Sequence, residues 1–352
     1  MKILHITATP LKDGGGIPVV IENLVIHQNQ VKGVQSRFLS VGFDNPNYLK
    51  EYYSYETNIE RIQAYISNMN PHVIIFHGVY FIKHVEVAKK ILKQGYKYYI
   101  EPHSSFGEIA QRKSRTKKTI ANNLFFKSFI SNAKGYIFLN LAEQRNSIFN
   151  TNNDLIIPNG IDPIEKDEIK KVITDDINLY YIGRIDFQHK GLDLLFKELR
   201  KLDSQKKNIK ISLYGYGDEK SISRLKREVN SFKNLSVEYY GPIYDEQKKE
   251  MLMLGQIMIL TSRYEGFPMT VLEALSYGNP CIVTTGTNVR DIIEENSLGW
   301  GTDTDNIATT IDKAVLDYKK NYLLYSKRTS EYVQENYSWE IIAKKSVELL
   351  SE

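Results

Sequence analysis

Short apolar runs alternate with longer amphipathic stretches through the first half of the chain. KILHITA, SRFLSVG, HVIIFHG, KYYIEPHS, GYIFLN and LIIPNG are brief and rich in Ile, Val, Phe and Tyr, so they predict strands. Helical patterns lie between several of them, such as EVAKKILKQG, where Gly95 supplies a C-cap. Strands alternating with helices predict βαβ units and a parallel sheet covered on both faces. Residues 1–165 are assigned to this first domain.

The alternation stops at PIEKDEIKKVITDD, Pro163 to Asp176, a charged stretch that reads as a linker. It restarts with NLYYIGRI, IKISLYGYG, LSVEYYG, IMILTS and CIVTT, each followed by a helix candidate. Residues 166–336 form the second domain. YSWEIIAKKSVELLSE predicts an amphipathic helix over 337–352 that can pack back on the first domain. The expected class is α/β, with two doubly wound parallel-sheet, Rossmann-like domains facing across a cleft.

Composition refines this only slightly. The 352 residues suit two domains, and 42% apolar with 25% charged residues is ordinary for a globular chain. The single cysteine, Cys281, excludes a disulfide framework and a cysteine metal site and fits a reducing cytoplasm. MKILHITATP lacks the apolar core of a signal peptide, and no apolar run approaches the ~20 residues of a membrane span. A charge of +4 with no nucleic-acid-binding pattern argues against a nucleic-acid partner.

The chemistry concentrates in SRYEGFPMTVLEALSYGNP, Ser262 to Pro280. IMILTS is a buried strand, and in open α/β sheets ligands bind beyond the carboxyl ends of the strands. Glu265 falls in the loop that follows. Pro268 suits the opening of the next helix and Gly278 its end, so Glu273 lies more than one turn in. The amides near Met269, Thr270 and Val271 then form an anion site, with Gly266 and Phe267 leading into it. Two hydrogen-bond acceptors flank a phosphate cradle, as a nucleotide sugar requires. The alternative for Glu265 alone is a surface carboxylate favoured by the helix dipole.

The same stretch resembles the E-x7-E motif of retaining family 4 glycosyltransferases of the GT-B fold (glycosyltransferases group 1). GGGIPVV, EPHSS, IIPNGID, YIGRIDFQHKG, LYGYGDE and EYYGPI extend the resemblance over essentially the whole chain. It implies that Gly15 and Gly16, in the triple glycine, close over the donor diphosphate. It implies that Arg184 and Lys190 hold that diphosphate, where fixed cations favour the departing charge. Glu273 is expected on the ribose hydroxyls and Glu265 on the sugar hydroxyls. Gly215, Gly217 and Gly241 are expected to let backbone approach the nucleoside. His103 matches the family's active-site histidine, although the family has Gly where Ser104 stands. His77 is a further candidate for lining the acceptor cleft. Asn159, Gly160 and Asp162 read as turn chemistry at the domain boundary.

The expected activity is retaining transfer of a sugar, UDP-linked, from a nucleotide-sugar donor to a hydroxyl of a glycan or lipid-linked acceptor in cell-surface polysaccharide or glycolipid synthesis. Front-side attack is favoured over a covalent intermediate. No cofactor is expected, because the nucleotide sugar is a substrate. No metal is expected either. Asp303 and Asp305 spell D-x-D but precede a helical stretch, where they read as caps. Rival readings are a sugar-nucleotide epimerase on the same fold and a non-catalytic nucleotide-sugar-binding protein. A nicotinamide dehydrogenase would need G-x-G-x-x-G, which is absent.

QRKSRTKKTIANNLFFKSFI gathers Arg112, Lys113, Arg115, Lys117 and Lys118 ahead of Leu124, Phe125, Phe126, Phe129 and Ile130. A basic run leading into apolar residues suits peripheral contact with the inner face of the cell membrane. An ordinary amphipathic helix with a solvated basic face is the alternative.

Overall fold

The computed structural model describes residues 1–9, 16–44, 51–112, 122–165, 169, 171, 177–207 and 209–352. The chain divides into two compact units, Met1–Gly160 with Tyr337–Glu352, and Ile161–Asn336.

The first unit runs β1 (Lys2–Thr7), α1 (Gly16–Gln30), β2 (Gln35–Ser40), β3 (Tyr53–Tyr55), α2 (Ile59–Met69), β4 (Val73–His77), α3 (Ile82–Lys93), β5 (Tyr98–Glu101) and α4 (Glu108–Arg112). A π-helical turn over Asn122–Phe126 leads into α5 (Lys127–Ser131), β6 (Gly135–Phe138), α6 (Leu141–Arg145) and β7 (Leu155–Ile156). The strands form one sheet in the order β3-β2-β1-β4-β5-β6-β7. Every pairing is parallel. β1 is the first strand laid down, and the order reverses between it and β4. β4 and β5 are buried along their whole lengths, as strands covered on both faces must be. Phe76, Tyr98, Phe129 and Phe138 sit in the core beneath.

The second unit runs β8 (Ile177–Ile182), α7 (Leu192–Ser204), β9 (Ile209–Tyr214), α8 (Glu219–Val229), β10 (Ser236–Gly241), α9 (Asp245–Leu254), β11 (Ile257–Leu260), α10 (Met269–Ser276), β12 (Cys281–Thr284), α11 (Arg290–Glu295) and β13 (Gly299–Thr302). Its parallel sheet has the order β10-β9-β8-β11-β12-β13, reversing between β8 and β11. α7 shows how pattern becomes packing. Leu192, Leu195, Phe196, Leu199 and Leu202 recur at helical spacing, and all are buried. α12 (Ile307–Tyr337) changes direction at Asn321, and α13 (Trp339–Ser351) ends the chain. No helix of the described residues is long and apolar enough to cross a membrane.

α13 packs on α1. The Trp339 ring stacks over His27 at 6.2 Å, and Gln28 Nε2–H donates to Ser346 Oγ at 2.9 Å. Gly160 is required here because a Cβ would stand 2.4 Å from the Trp339 ring. The charged linker is more engaged than its composition suggests. Lys171 donates to the carbonyls of Leu252, Met253 and Gly255, closing the end of α9. Burial pulls its ammonium down to about 7. β3 was not anticipated, because its three residues alternate too briefly to register.

Candidate functional site

In the second unit the predicted residues converge at the carboxyl ends of β8 and β11, where the strand order reverses. The loop after β8 carries Arg184 and Lys190, and the loop after β11 carries Glu265. Lys190 Nζ donates to Glu265 Oε1 at 2.6 Å, with the side chains only 15% and 11% exposed. Ser262 Oγ–H donates to the same oxygen at 2.6 Å. The Arg184 guanidinium, 46% exposed, meets Asp186 Oδ2 at 3.1 Å and His189 Nδ1 at 2.8 Å. His189 stacks on Tyr264 with ring centroids 4.1 Å apart. It thereby ties the two loops together, and burial lowers its pKa.

α10 opens with Pro268 in the capping position rather than inside the first turn. The Val271 amide is already bonded to the Pro268 carbonyl at 2.9 Å. The anion site therefore narrows from Met269–Val271 to Met269 and Thr270. Glu273 lies one turn on. Its Oε1 accepts from Lys248 at 2.6 Å, while its buried Oε2 finds no partner among the described residues. A buried carboxylate oxygen without a donor is costly and calls for a ligand. Gly278, at φ +78, ends the helix as expected of a left-handed glycine.

Two glycines at strand ends are required by the backbone around them. Gly215 lies at φ +149, and a Cβ there would stand 1.7 Å from the Gly183 carbonyl. A Cβ at Gly217 would stand 2.9 Å from the Ile185 carbonyl. At both, the missing side chain lets two stretches of protein backbone pack closely. Gly241 differs, with φ +84 and open space around its Cβ position. Asp303 and Asp305 are not caps either. Asp303 pairs with Arg290 at 2.7 Å and Asp305 with Lys197 at 2.8 Å, and α12 begins only at Ile307.

In the first unit His77 and Glu101 are register partners at the ends of β4 and β5, and His103 follows directly. His103 Nε2 lies 3.2 Å from His77 Nδ1. Glu101 lies 3.1 Å from His77 and 3.5 Å from His103. Ligand atoms of these three residues lie within 4.8 Å of one another, the spacing of a metal-binding group. His5, from β1, approaches His77 at 2.8 Å. Burial pushes His5 and His77 down to about 3 and His103 to about 4, and it raises Glu101. His77 is fully buried, so it stands behind His103 and does not itself line an open surface. His103 is 11% exposed and adopts φ +46, followed by Ser104 at φ +64.

Sequence reasoning missed His5, Glu101, Glu143, Lys248 and His189. Glu143 accepts from the amides of Ser104 at 2.6 Å and Leu139 at 2.7 Å, fixing the His103 loop to α6. Burial pushes it up to about 7. Its signal was Asn140 three residues earlier, since the Asn140 side chain caps α6 by accepting from the Glu143 amide. Gly15, Lys113, Arg115, Lys117 and Lys118 lie outside the described residues. Gly16 opens α1, and Arg112 ends α4.

Comparison with known proteins agrees with this architecture. An uncharacterized glycosyltransferase of Methanocaldococcus jannaschii is 27% identical over 226 residues, 59% of this chain and 56% of that protein. The chain spans about half the length of several curated relatives it matches. A sucrose-phosphate synthase from Thermosynechococcus elongatus superposes with a TM-score of 0.74 at 16% identity, over 99% of this chain and 98% of that one. Anabaena HepE in complex with UDP gives 0.74 at 16% identity, over 100% of both chains. The fold is therefore that of the GT-B glycosyltransferases, built from two Rossmann-like domains. Residues 163–336 match the family model of the glycosyl transferases group 1.

Proposed function

We propose that the protein is a retaining glycosyltransferase of family 4 that moves a sugar from a UDP-linked donor to an acceptor hydroxyl. The observation that carries this reading is the unpartnered Oε2 of Glu273, one turn beyond the amides that open α10. A ribose hydroxyl would satisfy it while the diphosphate meets the helix start. Arg184 and Lys190 then face the diphosphate, and Glu265, released from Lys190, accepts from hydroxyls of the sugar. The likeness to Anabaena HepE, whose structures hold UDP and UDP-glucose, supports the choice of base.

Retention follows from front-side attack. The acceptor oxygen bonds to the anomeric carbon on the face the diphosphate leaves. The departing phosphate oxygen keeps the bond's electron pair and takes the acceptor's proton. The two cations stabilise the charge that grows on it. Free UDP is expected to appear only when acceptor is added, and to do so in excess chelator. UDP release without acceptor, or loss of activity that magnesium or manganese restores, would sink this reading.

The acceptor in this reading is a glycan or lipid-linked glycan of cell-surface polysaccharide or glycolipid synthesis, met at the inner face of the cell membrane. Leu124 is 72% and Phe125 55% exposed, while Phe126, Phe129 and Ile130 are buried. Two bare apolar side chains just past a basic run suit a lipid surface. Salt-sensitive co-sedimentation with anionic vesicles is expected, weakened by Leu124→Ser with Phe125→Ser. Protein that stays in solution at low salt would point to a soluble acceptor.

A further inference from the structure

A neutral ring holds one of the two cations in the second unit's site. His189 stands in the turn after β8, and its backbone is fixed from two sides. Its amide donates to Asp186 Oδ1 at 2.8 Å, and its carbonyl accepts from the Arg263 amide, in the loop after β11, at 2.9 Å. The ring lies on Tyr264, with centroids 4.1 Å apart and planes 19° apart. Nε2 faces the Tyr264 carbonyl at 2.8 Å. A carbonyl oxygen only accepts, so Nε2 carries the hydrogen. Glu265 Oε1, 3.9 Å from the same nitrogen, is beyond hydrogen-bond reach. Nδ1 of the neutral ring is therefore bare, and Arg184 Nη2 donates to it at 2.8 Å. The second hydrogen of Nη2 goes to Asp186 Oδ2 at 3.1 Å. Every donor in this set meets an acceptor, and no atom is claimed twice.

We propose that His189 is a positioning residue, whose bare Nδ1 aims the Arg184 guanidinium at the diphosphate of the donor. This inference rests on the glycosyltransferase reading for that diphosphate, but not for the tautomer. Nη2 is spent on two protein acceptors. The hydrogens on Nη1 and Nε remain for phosphate oxygens and suit a bidentate grip. The two partners of Nη2 act differently. Asp186 is a charge that offsets the cation and repels phosphate, so it is the partner the diphosphate displaces. His189 is neutral. It fixes where the guanidinium points and leaves the full charge for the ligand. An aimed charge matters most in the transition state, where the departing phosphate oxygen becomes more negative. A proton on Nδ1 would set two N–H donors head to head across 2.8 Å. Burial is the main obstacle to that proton, and Lys190 and Arg184 add to it. Glu265 and Asp186 favour it, but burial prevails and lowers the ring's pKa. The ring is neutral at pH 7 and loses its hold on Arg184 in acid.

A double-mutant cycle with Arg184 tests this directly. His189→Phe keeps an aromatic ring on Tyr264 and removes both ring hydrogen bonds. It should lower kcat about 10-fold, as for a misaimed group, and leave KM for the nucleotide sugar within about threefold. In an Arg184→Gln background the same substitution should cost nothing more, because His189 acts through Arg184. His189→Gln keeps a donor for Tyr264 and an acceptor for Arg184, and should restore most of the rate. Nitrogen-15 spectra of histidine-labelled protein should show His189 as the Nε2–H tautomer, with Nδ1 taking up its proton only below pH 6.5. His84 is a reference of the opposite kind, since its Nδ1 faces the Gly78 carbonyl at 3.1 Å. If His189→Phe does not fold, His189→Ala takes its place in the cycle. A hydrogen on His189 Nδ1 at pH 7 would overturn the inference. So would full kcat in His189→Phe, or an equal loss with and without Arg184, which would make the ring a structural prop. A wild-type protein that transfers no sugar would remove the enzymatic reading and leave the spectra unchanged.

Discussion

Both units place polar groups at the carboxyl end of a parallel sheet, but they hold them in opposite ways. The second unit uses charges in pairs near the surface. Lys190 holds Glu265, Lys248 holds Glu273, and Arg184 holds Asp186. Such a pair is worth little where water reaches it, as at Arg184 and Asp186, so a charged ligand can replace Asp186 there at small cost. The first unit uses neutral side chains in the dark. His5, His77 and Gln28 are wholly buried, and directional hydrogen bonds order them. There each lost partner leaves an orphan group. One site can exchange partners on binding, while the other is set before any ligand arrives.

Acid should separate the two units most strongly. Burial holds His5, His77, His84 and His103 below their ordinary value of 6.5. On acidification the unfolded chain takes up these protons first. Their contribution to stability is therefore full above about pH 6.5 and is lost as the pH falls through the window down to about 3. Glu101 and Glu143 oppose this, because burial raises them and the folded chain protonates them first. The four histidines outnumber the two carboxyls, so the first unit loses stability as the pH falls below 6.5. Among the described residues of the second unit, His189 alone shifts within that window. With Trp300→Phe, Trp339 reports the first unit, and its denaturation midpoint should fall steeply between pH 6.5 and 5. With Trp339→Phe, Trp300 should report a much smaller change. Equal changes would erase the distinction.

The exchangeable pairs are tested by breaking them one side at a time. Lys190→Met removes a cation from the developing phosphate charge and strips Glu265 of its ion-pair partner. Turnover should drop about 100- to 1000-fold. Adding Glu265→Gln should recover stability without recovering turnover. Glu273→Ala should weaken UDP binding about 10- to 100-fold, the loss of hydrogen bonds to a charged acceptor. Glu265→Ala should spare UDP binding and reduce turnover instead. Titration calorimetry with UDP separates the two, and identical behaviour would end the division of roles between the glutamates.

The same contrast explains what could be read from the sequence. The second unit's site was legible because its residues stand in loops at strand ends, where charge has no packing reason to be. Glu265, Arg184 and Lys190 stand out this way, and Glu273 by its place one turn into the helix that follows. What that reading omitted was their pairing, since Lys248 comes from a different helix, α9, 25 residues away. The first unit's site was half hidden. His103 and His77 end strands and drew attention. His5 and Glu101 lie within KILHIT and YYIE, where a lone polar residue in an apolar run passes for ordinary variation. Only the parallel register brings Glu101 beside His77. Asp303 and Asp305 misled because a cap and an ion pair draw on the same residue types, and Arg290 and Lys197 come from other elements.

The smallest effect concerns the backbone that carries His103. Ser104 sits at φ +64 directly after His103 at φ +46. The left-handed region costs a residue with a Cβ about 1–2 kcal/mol, and glycine avoids it. Ser104 pays no compensation through its side chain among the described contacts, because its bond to Glu143 is made by the backbone amide. Ser104→Gly should therefore keep that bond and stabilise the first unit by about 1 kcal/mol or less, since glycine also gains freedom in the unfolded chain. Gly241 offers the reverse experiment in the second unit. It has φ +84 and no atom within 4 Å of its Cβ position, so Gly241→Ser meets backbone strain without a clash. It should cost about what Ser104→Gly returns. Thermal melts of both variants measure this. A destabilised Ser104→Gly would mean that the serine hydroxyl secures the His103 loop, and the first unit's site would then depend on more than its buried line of hydrogen bonds.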